Sequence, residues 1–164
     1  MTNKNITRKV FILLILSIAL FTVACTQSES DVDKIGAYTT VIDKLHEEDT
    51  ALNSNIEYIA IDTSLIINLD DEEKAELLKE LEDYGFTVLD MTMEELKEEG
   101  YVEDLYFEEG ILFEIIDEPI EGNSITMDIS KWRSGLGAIG YDGMVVKYEN
   151  EKWEIDKQGD AWIS

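Results

Sequence analysis

The sequence predicts an α+β domain in which helices come first and a meandering antiparallel sheet follows. Three observations carry this reading. Apolar residues recur at three- and four-residue steps over 32–46 and 77–84, the spacing that gathers them on one helix face. Asp70 with Glu73, and Thr92 with Glu95, have the spacing of capping boxes, which satisfy the free N–H groups at a helix start. From Tyr101 onward the apolar period shortens to two, with clusters of Gly, Asn and acids between the runs, as in strands joined by turns. Helices segregated from a later run of strands are the pattern of α+β architecture.

In the first helix, over 32–46, Val32, Ile35, Tyr38, Ile42 and Leu45 share a face, and Ser30 or Asp31 supplies the cap. Tyr58–Asp62 reads as a short buried strand. The helix that Asp70 and Glu73 open places Asp71 and Glu72 at the positive end of its dipole, buries Leu77, Leu78, Leu81 and Tyr84, and stops at Gly85. Residues 86–89 form a strand, and Thr92 opens a two-turn helix that Gly100 ends. Leu105-Tyr106-Phe107 and residues 111–115 flank Glu108-Glu109-Gly110 and read as a hairpin. After the turn at Glu121-Gly122-Asn123, Ile125, Met127 and Ile129 alternate with Thr126 and Asp128, a strand with one buried face. Residues 138–148 form a long strand, Asn150-Glu151 turns it into 152–155, and 161–163 follow Gly159. Pro119 falls in a turn or at a strand end, where its missing N–H does no harm.

The N-terminus carries a different signal. Lys4, Arg8 and Lys9 precede an apolar stretch from Val10 to Leu20, and Phe21-Thr22-Val23-Ala24 leads into Cys25. A cationic start, a short apolar middle and a small residue before the cut are the parts of a secretion signal, and the run is short for a bilayer span. Thr22-Val23-Ala24-Cys25 resembles the lipobox of bacterial lipoproteins, although Thr stands where Leu is usual. The resemblance implies cleavage after residue 24, a diacylglyceryl group on Cys25, and location at the extracytoplasmic face of the cell membrane. On this reading residues 1–24 are the signal peptide, 25–31 a polar tether, and 32–164 a single acidic domain.

Cleavage leaves 140 residues with no cysteine but Cys25. A domain of this size buries a workable core without disulfides. It keeps ten of the 13 cations and all 37 acids, a formal charge of −27. Such a field repels phosphate backbones and anionic headgroups, which argues against nucleic-acid partners and against adsorption to membranes by charge. Solubility is one reading of this charge; attraction of cations or basic peptides is the other.

The segments 148–153 (Tyr-Glu-Asn-Glu-Lys-Trp) and 160–164 (Asp-Ala-Trp-Ile-Ser) resemble the ends of small exported NTF2-like proteins of Firmicutes. The order of elements looks like a cystatin-like or NTF2-like cone, with N-terminal helices packed on a curved antiparallel sheet. The mature chain is also similar to uncharacterised lipoproteins of bacilli, above all at 131–138 (Lys-Trp-Arg-Ser-Gly-Leu-Gly-Ala). The resemblance implies a concave sheet face where ligands bind, but no particular activity.

Few residue types for catalysis are present. Cys25 is consumed by the lipid, and the one histidine, His46, is expected in solvent at a helix C-terminus, too isolated for a zinc site. Ser134 precedes Gly135-Leu136-Gly137, but Trp132 stands where a nucleophile elbow needs glycine, and Lys131 has many acids to pair with. The Gly-rich stretch is read as a bend, with Trp132 packed against the helices. The acidic runs 70–73 and 94–99 lack calcium-loop spacing and read as solvated helix faces. Asp62 beside buried Ile61 needs a partner, and Arg133, the only arginine of the mature chain, is the expected one, in a structural ion pair. Among the many aromatics, Trp132 and Tyr141, together with Arg133, are candidates for a pocket rim. The expected function is a non-enzymatic, membrane-tethered binding or assembly module for an unknown protein or small ligand, without a cofactor. The alternative is an extracytoplasmic carboxylate-dependent hydrolase with its site in the concave face.

The address has a direct test. Cys25→Ser is expected to abolish incorporation of labelled fatty acid and to leave the precursor uncut on gels; normal labelling would refute the lipobox assignment.

Overall fold

The computed structural model describes residues 33–164; the expected signal peptide, the expected tether with Cys25, Val32 and the expected caps Ser30 and Asp31 lie outside the described residues. The described chain runs α1 (Ile35–Glu47), β1 (Tyr58–Asp62), α2 (Asp71–Leu81), β2 (Thr87–Asp90), α3 (Met93–Glu98), β3 (Gly110–Asp117), β4 (Ser124–Ser134), β5 (Gly137–Glu149), β6 (Lys152–Lys157) and β7 (Asp160–Ile163), with single 3₁₀ turns at Thr50–Asn53, Thr63–Leu65 and Glu82–Tyr84. The domain is therefore α+β, and none of the described helices is long and apolar enough to cross a membrane.

Local chemistry accounts for the helices. Asp70 accepts from the N–H groups of Glu72 and Glu73 while Glu73 accepts from the Asp70 N–H, and Thr92 and Glu95 make the same reciprocal pair. Gly85 and Gly100 take the left-handed conformation that ends each segment at no Cβ penalty. At the start of α1 the carboxylate of Asp33 accepts from the N–H groups of Ile35 and Gly36.

The sheet runs β2-β1-β3-β4-β5-β6. β5 gives one edge to β4 along its length, so β6 and β7 share the other, β6 on residues 145–149 and β7 on 139–142. Glycine at 159, with φ near +80°, sits between them against the backbone of Asp142 and Met144, where no Cβ fits. From β3 to β7 every pairing is antiparallel, but β1 lies parallel to both β2 and β3. A wholly antiparallel sheet was expected. Parallel neighbours need long crossovers, and residues 63–86 and 91–109, which carry α2 and α3, supply them.

The expected strand at 105–107 does not form. Glu103 and Tyr106 close a tight turn on each other with both central residues, Asp104 and Leu105, left-handed. Phe107 folds its ring over Gly110, where any Cβ would lie 2.2 Å from the ring. Instead of turning a hairpin, residue 110 begins β3 beside β1, where the Glu57 and Tyr58 N–H groups donate to the Glu109 carbonyl.

Pleating sorts the side chains. Ile59, Ile61, Ile111, Phe113, Ile115, Ile125, Met127 and Ile129 are buried on one face, which α1 and α2 cover with Tyr38, Val41, Ile42, Leu45, Leu77 and Leu81. On the far face, Ala60 and Leu112 pack with Leu96 of α3, Val102 and Phe107, and Trp132 leans on this cluster.

Buried Asp117, at the end of β3, ties three segments together. It accepts from the Tyr38 hydroxyl of α1 at 2.6 Å and from the backbone N–H groups of Ile67 (2.8 Å) and Asn68 (3.1 Å), while the Asn68 amide donates at 2.5 Å. Burial, reinforced by Asp117, pushes the Tyr38 hydroxyl far above its ordinary range and keeps it a donor. Asp117→Ala strands two backbone N–H groups and is expected to cost about 2–4 kcal/mol in urea unfolding, against about 1 kcal/mol for Tyr38→Phe, which removes one donor of four. Equal losses would contradict the shared-acceptor account.

Candidate functional site

Register on the far face builds two rows across the sheet. The first is apolar: Leu89 beside Ala60, then Leu112, Trp132 and Ala138. It lies under α3 and the 101–107 segment. The second is polar: Asp62 beside Glu114, then Ser130, then Gly140, whose partner Trp162 completes it. Among the described residues no helix covers this second row. Ile116 and Asp128, paired one pleat further along, extend the open area.

The open area is a depression of ≈ 270 Å³ lined by Glu114, Ile116, Asp128, Ser130, Asp142 and Trp162. Its floor exists because Gly140 has no side chain. A Cβ there would meet the Trp162 ring at 2.4 Å, so the indole lies flat on the glycine. The Trp162 N–H donates to Asp142 at 3.1 Å, and Asp128 accepts from the Gly143 N–H at 2.7 Å. Trp162 keeps 38% and Ile116 53% of its surface in solvent, a large apolar exposure between carboxylates. Burial first, and then the charge of Asp62, hold the Glu114 carboxyl above the usual range, with a 3.5 Å contact from the Ser130 hydroxyl opposing them.

The residues singled out from sequence fall in different places. Asp62 is buried, but its carboxylate accepts from the N–H and hydroxyl of Ser64 at 2.9 and 2.5 Å, closing the turn after β1. Arg133 donates to three backbone carbonyls, Leu52 and Ser54 (2.8 and 2.7 Å) and Glu108 (2.6 Å). The expected Asp62–Arg133 ion pair is therefore not formed: a neighbouring serine satisfies Asp62, while the guanidinium fork fits converging carbonyls. Nor do Trp132 and Tyr141 share a rim. Tyr141 pairs with Ile129 on the helix face, and its hydroxyl reaches Glu48 at 2.5 Å and Gln158 at 2.9 Å, whereas Trp132 lies on the far face.

His46 also departs from expectation. Its ring packs edge-on against Tyr84 with centroids 4.9 Å apart, and Nε2 is sealed from solvent without a partner. Burial, with a contribution from the Lys131 charge, lowers its pKa and favours the neutral ring, so it is not a solvated imidazolium on the helix dipole.

Lys131 gives the sharpest difference. It is wholly buried on the helix face and forms no salt bridge among the described residues. Its Nζ donates instead to the carbonyls of Glu48 and Asp49 and to the Asn53 side chain (3.1 Å), holding the corner after α1. Sequence offered no sign of this, because the carbonyls come from a turn some 80 residues away. Ser134 lies at the β4–β5 turn, its hydroxyl facing the Leu136 N–H, and makes no hydrogen bond with Lys131. Among the described residues no cluster of three His, Cys, Asp or Glu side chains is arranged to hold a metal ion.

Comparison with known proteins adds no relative: no family model matches the chain, and no curated protein or solved structure matches it.

Burial pushes the Lys131 ammonium down to about 8 from its ordinary 10.5, against the opposing pull of Asp49 and Glu48. The unfolded chain keeps this proton to the ordinary value. Between the two values unfolding takes up a proton, so rising pH favours the folded state. Relative to Lys131→Met, wild-type melting temperature is expected to climb between about pH 8 and pH 10 in scanning calorimetry; a constant difference would show that the ammonium titrates normally.

Proposed function

We propose that this chain is an exported lipoprotein, held at the extracytoplasmic face of the cell membrane by lipid on Cys25, whose domain is a non-enzymatic binding or assembly module. The single observation that carries the binding reading is the uncovered polar row on the far face. Burying Trp162 and Ile116 against a ligand would remove apolar surface from water, and the carboxylates around them would set orientation. The lipobox-like Thr22-Val23-Ala24-Cys25 supports the address, and the charge of −27 keeps the domain off anionic headgroups.

The proposal extends to the fold. Register shifts in the β4–β5 ladder at Met127/Ile129 and Trp132/Ser134 are places where a sheet bends, and they support kinship with cystatin-like or NTF2-like cones. The parallel β2-β1-β3 edge is a departure from a wholly antiparallel cone. A second reading, the carboxylate-dependent hydrolase, draws on Glu114, since a carboxyl held above its usual range beside an open depression suits a general acid.

NMR of the full chain in neutral detergent with a panel of small amines and sugars tests both. For a binding module, shifts cluster on Glu114, Ser130 and Trp162, Trp162→Ala weakens binding about tenfold, Glu114→Gln weakens it less, and no ligand is turned over. Turnover of a bound glycoside that Glu114→Gln abolishes would establish the hydrolase. Shifts that avoid the depression altogether would remove it as the site.

A further inference from the structure

A second surface stands apart from the depression, at the end of the β4–β5 hairpin. The turn Gly135-Leu136 closes that hairpin, and the turn Asp104-Leu105 is stitched to it. The Gly135 N–H donates to the Leu105 carbonyl, the Phe107 N–H donates to the Arg133 carbonyl, and Tyr106 bridges Ser134. At this joint Leu136 is 92% exposed, Leu105 61% and Tyr106 43%. Three large apolar side chains presented together from two turns form a patch of the kind that marks an interaction site.

The patch is held rigidly. Arg133 is pinned by the carbonyls of Leu52, Ser54 and Glu108, and its guanidinium carbon lies 5.7 Å from the centre of the Tyr106 ring. Leu105 adopts φ +60°, a left-handed conformation unfavourable for leucine, where glycine is the ordinary choice. The backbone thus keeps a costly residue at a place where most of its side chain faces solvent.

The surroundings define what fits. A cleft of ≈ 500 Å³ adjoins the patch, with the Tyr101 and Tyr106 rings among its walls. The same walls carry exposed Glu103, Asp104, Glu108 and Glu109, and none of these four has an ion-pair partner among the described residues. A second copy of this chain would bring the same negative rim against itself, and an anionic bilayer would be repelled for the same reason. An apolar residue seated on the leucines, with a lysine or arginine beside it reaching the carboxylates and ring faces, meets both halves of the surface.

We propose that this hairpin end docks a basic–apolar segment of a protein partner, with the leucines as the anchor and the acidic cleft receiving the cationic side chain. The docking surface is separate from the sheet depression and does not depend on it.

The test uses the full chain in neutral detergent and a fluorescent peptide alternating leucine and lysine, read by anisotropy at physiological salt. The chain is expected to bind this peptide and to reject one in which serine replaces the leucines. Leu136→Ser and Leu105→Gly are each expected to weaken binding about tenfold. Leu105→Gly should also raise the melting temperature, because it relieves the left-handed leucine, so its loss of binding will not be a loss of fold. Trp162→Ala should leave binding unchanged, which separates this surface from the sheet depression. Equal binding of the serine peptide would reduce the effect to charge, and unaltered binding by both leucine variants would overturn the proposal. Self-association that Leu136→Ser dissolves would assign the patch to a second copy, and a blue shift of Leu136→Trp on neutral phosphatidylcholine vesicles alone would assign it to a bilayer.

Discussion

A pleated sheet has two faces, and every strand sends alternate side chains to each. The described helices α1 and α2 cover one face, while the two-turn α3 with the segment after it covers only the end of the other. This shortage of cover governs the rest. On the far face the covered row is Leu89, Ala60, Leu112, Trp132 and Ala138; where cover stops, the next row changes to Asp62, Glu114, Ser130 and Gly140. The boundary lies between adjacent pleats of the same strands.

Buried polar groups hold the connections that the sheet alone would leave loose. Asp117 gathers α1 and the 66–68 segment at one end of β3, and Lys131 gathers the corner after α1 from beneath. Arg133 does the same from the neighbouring strand position. Among the described residues none of these three is in an ion pair. Each serves groups of the opposite hydrogen-bonding character, N–H donors for the carboxylate and carbonyl acceptors for the cations. A carbonyl or N–H buried in a turn needs a partner as much as a charge does. In a chain with 37 acids, Lys131 and Arg133 thus serve mainly backbone carbonyls, and the buried acids Asp62 and Asp117 are met by hydrogen-bond donors.

Much of the fold was legible because its signals are local. Both capping boxes, the glycines ending α2 and α3, and the turn at Asn150-Glu151 depend on residues a few positions apart. The turn at 104–105 was not legible, since leucine is an unusual left-handed residue and the bonds that hold the turn to the β4–β5 hairpin, Gly135 to Leu105 and Phe107 to Arg133, span some 30 residues. The parallel placement of β1 was equally hidden: hydrophobic runs give a strand but not its neighbour. Of the candidate residues, Asp62 is a buried acid with a partner, but that partner is Ser64 and not Arg133. Glu114, Ser130 and Trp162 escaped notice separately because only register sets them in one row.

By itself the sequence determined three helices, the capping boxes that start α2 and α3, and a strongly acidic composition, for these rest on neighbouring residues and on residue counts. Tertiary structure alone decided which strands lie side by side, which row stays uncovered, and which backbone groups Lys131 and Arg133 serve. Those outcomes depend on contacts between residues as many as 83 positions apart, and at that separation the order of residues along the chain no longer specifies which atoms meet.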